Sequence, residues 1–325
     1  MCRAWWMLAA GLPLAASAAP AAPSGPYPYV TQQRWALGAA SRWDYVAIDA
    51  VRQRLFLTRG DRVQVVDLES GKPVGEIAGT AGVHGVAFAQ DLKRGFTSNG
   101  RSDSVTIFDL DTLQATQELK VGGKNPDAIL YEQSAHKLYT FNGKSADVSV
   151  IDALTLQNVA TIKVGGKPEF AVSDHAGRIF VNIEDTAEIA VIDVRSDTII
   201  ARWPLKKCEE PTGLAFDQAH ARLFSVCSNK VMVVTDSNNG RRVASVPIGE
   251  HPDAAAYDPA SATVFSSNGD GTLSMIDQID ADHYTALAPV STVKGARTMA
   301  LDPVSRKVYL PSVVNQVFTV VVAAP

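Results

Sequence analysis

Residues 121–142 of this chain read VGGKNPDAILYEQSAHKLYTFN, and residues 164–183 read VGGKPEFAVSDHAGRIFVNI. Both segments contain Val-Gly-Gly-Lys, a proline, an acidic residue, a short apolar run, a polar turn and a second apolar run. A segment that returns after 43 residues indicates an internal repeat, and a period in this range is typical of solenoids, propellers or arrays. The acidic residue after the proline belongs either to the repeat or to a functional site.

The first apolar run occurs seven times, with separations of 40 to 44 residues. The copies are WDYVAID (43–49), VHGVAFA (83–89), PDAILYE (126–132), PEFAVSD (168–174), PTGLAFD (211–217), PDAAAYD (252–258) and ARTMALD (296–302). Each is followed by a polar turn, a second run such as KLYTF, an alternating third run such as VSVID, and a last run such as VATIKVG. Short β-branched and aromatic runs between turn residues predict strands. Four antiparallel strands, repeated seven times, predict an all-β, seven-bladed β-propeller.

The two ends of the chain predict how the propeller closes. The last copy reaches VFTVVV and ends at Ala323-Ala324-Pro325 without a fourth strand. The segment YVTQQRWALG, residues 29–38, has no blade of its own. We therefore expect this N-terminal strand to complete the last blade, which would leave no open sheet edge. Residues 29–325 then form a single propeller domain.

The N-terminal residues are typical of a targeting segment. Arg3 precedes an apolar core, and Ala16-Ser17-Ala18 forms an A-x-A site. This pattern predicts a signal peptide over residues 1–18, cleaved after Ala18. Residues 19–28 (APAAPSGPYP) predict a flexible leader. No later stretch is apolar enough to span a membrane. With the signal peptide, this predicts a protein that is periplasmic or secreted. We also expect it to be a monomer.

Composition and absent motifs narrow the function. The net charge is −4, and the sequence contains no block of five or more Lys and Arg residues, which argues against nucleic acid as the main partner. It also lacks a C-x-x-C-H haem site, H-E-x-x-H, G-x-S-x-G, a phosphate-binding loop and a dinucleotide fingerprint. We therefore expect neither haem nor a bound nucleotide.

The repeated phrases VGGKP, D-P-x-x-x-(K/R)-(V/L)-(Y/F) and V-x-V-I-D resemble those of the YVTN-repeat β-propeller family, which includes YncE-like exported proteins. The resemblance extends from Tyr29 to Val322. It implies a WD40/YVTN-like propeller in the periplasm, and it implies no particular activity, because fold does not determine function. Neighbouring seven-bladed propellers include lactonases and lyases. An enzyme therefore stays open.

The second residue of each copy should face the central channel near one mouth, because the first strand of a propeller blade lines the channel. These positions are Asp44, His84, Asp127, Glu169, Thr212, Asp253 and Arg297. The aspartates five residues later should be structural, since Asp often bonds its own backbone in turns; they are Asp49, Asp174, Asp217, Asp258 and Asp302.

The ring of polar residues has several interpretations. It could be a hydrated channel lining, with Arg297 neutralising Asp253 and Asp44. It could instead bind a small ligand or an exported or envelope protein through Asp44, His84, Asp127, Glu169, Asp253 and Arg297, with Trp43 and Phe170 beside them. Trp43 and Phe170 are equally expected to pack between blades. Loops at the same mouth carry Arg59, Asn99, Arg101, Asn142, Glu184, Asn229, Asn268 and Asn315, together with Lys124, Lys167 and His251.

Two further functions stay open. A lactonase- or lyase-like enzyme would use His84 or Glu169 as general base and Arg297 to stabilise negative charge. A divalent cation could assist it, with Asp127 and Glu169 as candidate ligands. Single-stranded nucleic acid would stack on Trp43 and Phe170, although the acidic ring and the net charge disfavour this.

The mature chain contains two cysteines, Cys208 and Cys227. They lie before the first strand and at the end of the second strand of the fifth blade. Antiparallel pairing brings these points to the same mouth, so we expect a disulfide within that blade. His136, His175 and His220 fall in turns on the opposite face, where we expect them to be solvated.

Overall fold

The computed structural model describes residue 1 and residues 28–325. The signal peptide predicted for residues 1–18 and the leader predicted for residues 19–28 lie outside the described residues, except for Met1 and Pro28. Within the described ranges, no helix combines the length and the hydropathy that crossing a membrane requires.

Residues 28–325 form seven antiparallel sheets, which are the blades of a propeller. The first blade contains β2 (Val46–Asp49), β3 (Arg54–Arg59), β4 (Arg62–Asp67) and β5 (Pro73–Ala78). The second contains β6 (Val83–Ala89), β7 (Arg94–Asn99), β8 (Ser104–Asp109) and β9 (Ala115–Lys120). The third contains β10 (Pro126–Glu132), β11 (Lys137–Asn142), β12 (Asp147–Asp152) and β13 (Gln157–Lys163). Single 3-10 turns, Gln90–Leu92 and Gln133–Ala135, follow β6 and β10.

The remaining blades repeat this order. The fourth contains β14 (Pro168–Ser173), β15 (Arg178–Ile183), β16 (Glu188–Asp193) and β17 (Thr198–Pro204). The fifth contains β18 (Pro211–Asp217), β19 (Arg222–Cys227), β20 (Val231–Asp236) and β21 (Arg242–Pro247). The sixth contains β22 (Pro252–Asp258), β23 (Thr263–Asn268), β24 (Thr272–Gln278), β25 (Tyr284–Ala286) and β26 (Val290–Ser291), of which the last two both pair with β24.

The seventh blade closes the ring. It contains β27 (Ala300–Leu301), β28 (Val308–Val314), β29 (Val317–Ala324) and the N-terminal strand β1 (Val30–Ala39). β1 pairs antiparallel with β29, placing Trp35 opposite Val320. The predicted fold class, seven four-stranded blades closed by an N-terminal strand, is thereby confirmed. The innermost strand β27 is shorter than the run ARTMALD predicted, because the amide of Arg297 donates to Gly295 O in a turn instead of a sheet ladder.

The hydrophobic core lies between the faces of neighbouring blades. Second and third strands are almost wholly buried, as in β11 and β12, whereas most residues of the outer strand β13 are exposed. Between the third and fourth blades, for example, Tyr139, Phe141 and Ile192 belong to one apolar cluster. Burying this surface supplies the main driving force for folding.

The basic residue of the repeated motif is structural. It begins the second strand of a blade and donates to a carbonyl of the next blade. Arg94 Nη1 reaches Ala153 O at 2.8 Å, and Lys137 Nζ reaches Val194 O at 2.8 Å. The turn aspartates are structural as well: the Oδ1 of Asp49 accepts the amide of Val51 at 3.1 Å. The bonds of the basic residues fix each blade against its neighbour, and the bonds of the aspartates fix the turns.

Candidate functional site

Three ring residues from the first three blades come together at the channel mouth. The Nδ1 of His84 lies 2.5 Å from the Oδ2 of Asp44 and 3.5 Å from the Oδ1 of Asp127. A candidate ligand atom from each of the three falls within a span of 4.8 Å. Their positions follow from the repeat, since Asp44, His84 and Asp127 occupy the same place in successive blades.

Burial dominates the electrostatics of this cluster. It raises the pKa of Asp127 to about 7, and the neighbouring His84 charge only partly opposes that rise. Burial also lowers the pKa of His84, but the hydrogen bond to Asp44 and the charge of Asp127 outweigh it, so the net shift is upward. The two neighbouring carboxyl groups therefore favour the protonated form of the imidazole.

Glu169 has a different set of partners. The Nζ of Lys167 lies 2.5 Å from its Oε1 and also contacts Glu184. Burial raises the pKa of Glu169 to about 9, with the charge of Asp127 and a hydrogen bond to Glu184 acting in the same direction. Glu169 is thus held in its neutral form. Of the candidate cation ligands, Asp127 groups with Asp44 and His84, and Glu169 is not a member of that group.

Tyr45 spans the channel, which sequence reasoning missed. Its hydroxyl lies 3.4 Å from the Oε2 of Glu169, and its ring centroid lies 5.2 Å from that of Phe170. The side chain is only 7% exposed. A signal was present in the repeat: Tyr45 follows a ring position where the other blades carry Gly85, Ala128, Phe170, Gly213, Ala254 and Thr298.

Arg297 neutralises one aspartate of the ring. Its Nε lies 2.6 Å from the Oδ2 of Asp253. Burial raises the pKa of Asp253 to about 6, the charge of Asp44 adds to this, and Arg297 opposes it. Arg297 was also expected to neutralise Asp44: the charge of Asp44 does act on Arg297, while the side chain of Asp44 hydrogen-bonds His84. Thr212 turns its hydroxyl to the carbonyl of Pro252 at 2.9 Å.

The two aromatic candidates serve in packing. The ring centroid of Trp43 lies 6.1 Å from that of Phe318. Phe170 packs edge-on against Tyr45. Both rings therefore contribute to packing, as one of the two interpretations expected. Trp43 also borders the mouth cavity described below.

Several residues expected in the mouth loops are buried at strand ends instead. Asn99, Asn142 and Asn268 are fully buried, and each donates to side chains of the next strand, as Asn142 Nδ2 does to Asp147 Oδ1 at 2.9 Å. Arg59 is 3% exposed and donates to the carbonyls of Leu37 at 2.8 Å and Ala39 at 2.5 Å. Each of these strands continues one residue further than the pattern suggested, which carries the polar side chain inside.

A cavity of about 620 Å³ opens at the mouth above the Asp44–His84 pair. It lies between the loops of the first three blades, and three glycines form part of its wall. Its lining residues are Arg42, Trp43, Asp44, Gly60, Gly82, Val83, His84, Gly100, Arg101, Asp103, Lys124, Asn125 and Lys144. A ligand entering this cavity would meet the ring residues of the first two blades.

The opposite face carries a smaller cavity of about 350 Å³. Ser173 and His175 line it, and the Ser173 hydroxyl donates to the buried carboxylate of Glu132. On this face His175 and His220 are exposed and His136 is partly exposed, and each lies near an acidic residue, as His220 Nδ1 lies 2.6 Å from Asp217 Oδ2.

A disulfide joins Cys208 to Cys227, with their Cα atoms 5.4 Å apart. It connects the loop before β18 to the end of β19, within the fifth blade. Because this loop enters at the same mouth as the ring, the bond stiffens one side of the rim.

Fold and site together define a seven-bladed β-propeller with a polar cavity at one mouth of its channel. Solved structures with this fold include a chain of hydrazine synthase from Kuenenia stuttgartiensis, 18% identical over 85% of this chain and 94% of that chain, with a TM-score of 0.72. A chain of the mitotic checkpoint complex is 14% identical over 97% and 98%, with a TM-score of 0.76. U3-55K is 10% identical over 88% and 96%, with a TM-score of 0.76. No protein-family model and no curated protein matches the sequence. At these identities, the likeness establishes the fold alone.

Proposed function

We propose that this chain is an exported propeller of the YVTN, YncE-like kind that acts as a binding scaffold at its channel mouth. Its partner is a small ligand or a segment of an exported or envelope protein. One observation carries the proposal: the 620 Å³ cavity that loops of three blades form above the polar ring. Ligand pockets in proteins commonly measure about 300–1,000 Å³.

The construction of the rim supports binding by a preformed site. The charged groups below the cavity are held by one another, as Asp44 is by His84 and Asp253 by Arg297. Loops carried on a rigid scaffold are where binding residues concentrate. A ligand would therefore find side chains that are already oriented, which lowers the entropic cost of binding.

The binding proposal is tested by thermal shift with a panel of carboxylates, phosphate esters, amino acids, sugars and short peptides. Lys144→Trp narrows the cavity, and Lys72→Trp is the matched control because Lys72 is also exposed but lies outside the cavity lining. We expect a ligand that raises the melting temperature of the wild type and of Lys72→Trp, but not of Lys144→Trp. A shift that Lys144→Trp retains contradicts binding at this mouth.

Export is part of the same proposal. The disulfide between Cys208 and Cys227 supports it, because disulfides persist in oxidising compartments. We expect the mature protein, recovered as a monomer from periplasm or medium, to begin at Ala19 when its N terminus is sequenced. A cytosolic protein that keeps residues 1–18 contradicts export.

A second candidate function is a lactonase- or lyase-like enzyme, and the Asp44–His84–Asp127 cluster favours it. Two carboxylates and an imidazole could hold a divalent cation, or Asp44 could orient His84 as a general base at a pH where the imidazole is neutral. Of the candidate catalytic residues, Glu169 and Arg297 are engaged by Lys167 and Asp253, whereas His84 borders the cavity.

Turnover separates the two functions. We expect an enzyme to hydrolyse members of a lactone panel, to lose that activity in His84→Ala, and to keep it in His283→Ala, which changes an exposed histidine outside the ring. A metal-dependent enzyme would also lose activity in EDTA and regain it with one divalent cation. Ligand binding without turnover on the panel favours the scaffold.

A further inference from the structure

The mouth cavity differs in charge from the protein that contains it. The whole chain has a net charge of −4. The cavity lining, by contrast, carries four permanently charged cations against two carboxylates: Arg42, Arg101, Lys124 and Lys144, against Asp44 and Asp103. An excess of one sign of charge in a concave surface concentrates ligands of the opposite sign. This cavity therefore favours anions, through the cations that carboxylates do not neutralise.

Two of the four cations are already neutralised. The Nη2 of Arg101 lies 2.5 Å from the Oδ1 of Asp61, and the Nζ of Lys124 lies 2.9 Å from the Oδ2 of Asp103. Ion pairs of this kind hold the side chains against the rim. Their charges are satisfied within the protein.

Arg42 and Lys144 are different. Both line the cavity, both are exposed, and across residues 28–325 neither forms an ion pair within 4.0 Å. Arg42 precedes the first blade, and Lys144 lies in the turn between β11 and β12 of the third blade. The two cations thus reach the cavity from the first and third blades, which flank the second blade.

The cavity wall leaves room for a ligand at Gly60 of the first blade. Gly60 lines the cavity, and a Cβ atom added there would meet no other part of the protein within 4 Å. Gly100 of the second blade is packed instead, because a Cβ atom there would lie 2.6 Å from His84 Nε2 and 3.0 Å from Asn125 Oδ1. Gly100 therefore allows His84 and Asn125 to lie close to the backbone at the edge of the cavity.

We infer that the mouth cavity binds a small organic dianion, whose carboxylate or phosphate groups are recognised by Arg42 and Lys144. This inference rests on the proposed binding function and names its ligand class. A guanidinium can bind a carboxylate or phosphate through two parallel hydrogen bonds, and an ammonium from the third blade supplies a second point of charge. The two cations select a ligand with two acidic groups, or with one dianionic group between them.

The test is calorimetric titration of the wild type at constant ionic strength with matched probes. Succinate and glucose 6-phosphate are the organic anions, inorganic phosphate is the bare anion, and succinamide and glucose are the neutral counterparts. Binding of succinate alone assigns carboxylate recognition, binding of glucose 6-phosphate alone assigns phosphate recognition, and binding of both supports the shared chemistry. Inorganic phosphate that binds as tightly as the organic anions overturns the inference of an organic ligand.

The charge dependence is tested with the double variant Arg42→Gln/Lys144→Gln. Its control is Lys72→Gln/Arg195→Gln, which removes one lysine and one arginine that are exposed and lie outside the cavity lining. We expect the first variant to bind the anion roughly tenfold or more weakly, as loss of charge-assisted hydrogen bonds predicts, and the control to bind it as the wild type does. Equal melting temperatures without ligand establish that both variants fold.

Failure of this inference differs from failure of the proposed function. The dianion inference is overturned if neither anion class binds more tightly than its neutral counterpart. It is also overturned if Arg42→Gln/Lys144→Gln binds the anion as the wild type does. If a neutral ligand or a protein segment then binds the wild type but not Lys144→Trp, the mouth is still the binding site and only the ligand class is wrong.

Discussion

The hydroxyl of Tyr45 on the first blade lies 3.4 Å from the Oε2 of Glu169 on the fourth blade. These blades face each other across the ring, so one side chain spans the channel. Asp44, which lines the mouth cavity, comes just before Tyr45 in the chain. Val172, which lines the cavity on the opposite face, comes three residues after Glu169 in its strand. Tyr45 therefore occupies part of the channel, at a level between the two cavities.

Two substitutions of Tyr45 should have different costs. Tyr45→Phe keeps the ring against Phe170 and removes a long hydrogen bond, so we expect unfolding free energy to fall by about 1 kcal/mol or less. Tyr45→Ala empties a buried site and should cost about 3 kcal/mol or more. Urea denaturation measures both. If both variants lost the same unfolding free energy, the hydroxyl of Tyr45, and not its ring, would supply the stabilisation.

Glu169 should make the protein less stable at alkaline pH. Its pKa is about 9 when folded and about 4.3 when unfolded, so the folded state binds the proton more tightly. The resulting stabilisation is complete below the unfolded pKa and is lost as pH rises towards 9. Asp127 and Asp253, with pKa values of about 7 and about 6, act in the same direction, but their contributions are lost largely below pH 7.5.

Glu169→Gln isolates this effect, because glutamine can accept from Lys167 and donate to Glu184 as the protonated acid does. Between about pH 7.5 and 9 we expect the wild type to lose about 1–2 kcal/mol that the variant keeps, since one pKa unit corresponds to about 1.4 kcal/mol. Urea denaturation at the two pH values measures the difference. If Glu169→Gln loses as much unfolding free energy between these pH values as the wild type does, another group is responsible for the pH dependence.

Arg59 should hold the N-terminal strand in the last blade. It donates to the carbonyls of Leu37 and Ala39 from within the first blade. Arg59→Met keeps most of the volume but leaves these acceptors without their donor, which should cost about 2–3 kcal/mol. In Arg59→Met we expect the amide hydrogens of β1 to exchange faster than in the wild type. Those of β15, a strand of the distant fourth blade, should exchange at the wild-type rate. Unchanged protection of β1 would mean that pairing with β29 alone closes the ring.

The disulfide should stabilise the fifth blade. Cys208 and Cys227 are 19 residues apart, and closing a loop of about this length contributes about 3 kcal/mol. The double variant Cys208→Ser/Cys227→Ser should lose this amount in urea denaturation, and the wild type should match it after reduction. A mature wild-type protein whose two thiols react with iodoacetamide without reductant contradicts the bond.

Periodic features of the structure were predictable from the sequence. Seven copies at a spacing near forty residues predicted the blades, and the unpaired segment before Trp43 predicted the closing strand. Both follow from the repeat, because each copy must bury the same apolar faces against its neighbours. The strand ends were less predictable: Asn142 was expected in a loop, yet it is buried, because its amide can satisfy polar groups of the next strand.

The sequence by itself determined which residues share the ring position, since blade periodicity places Asp44, His84, Asp127 and Glu169 at equivalent points. Only the tertiary structure decided their partners. His84 joins Asp44 and Asp127, while Glu169 joins Lys167 and receives Tyr45 from 124 residues away. Such contacts depend on how the blades are rotated about the channel and on which side chains are long enough to cross it. A repeat specifies equivalent positions, whereas contacts across a ring depend on where the whole chain places them in space.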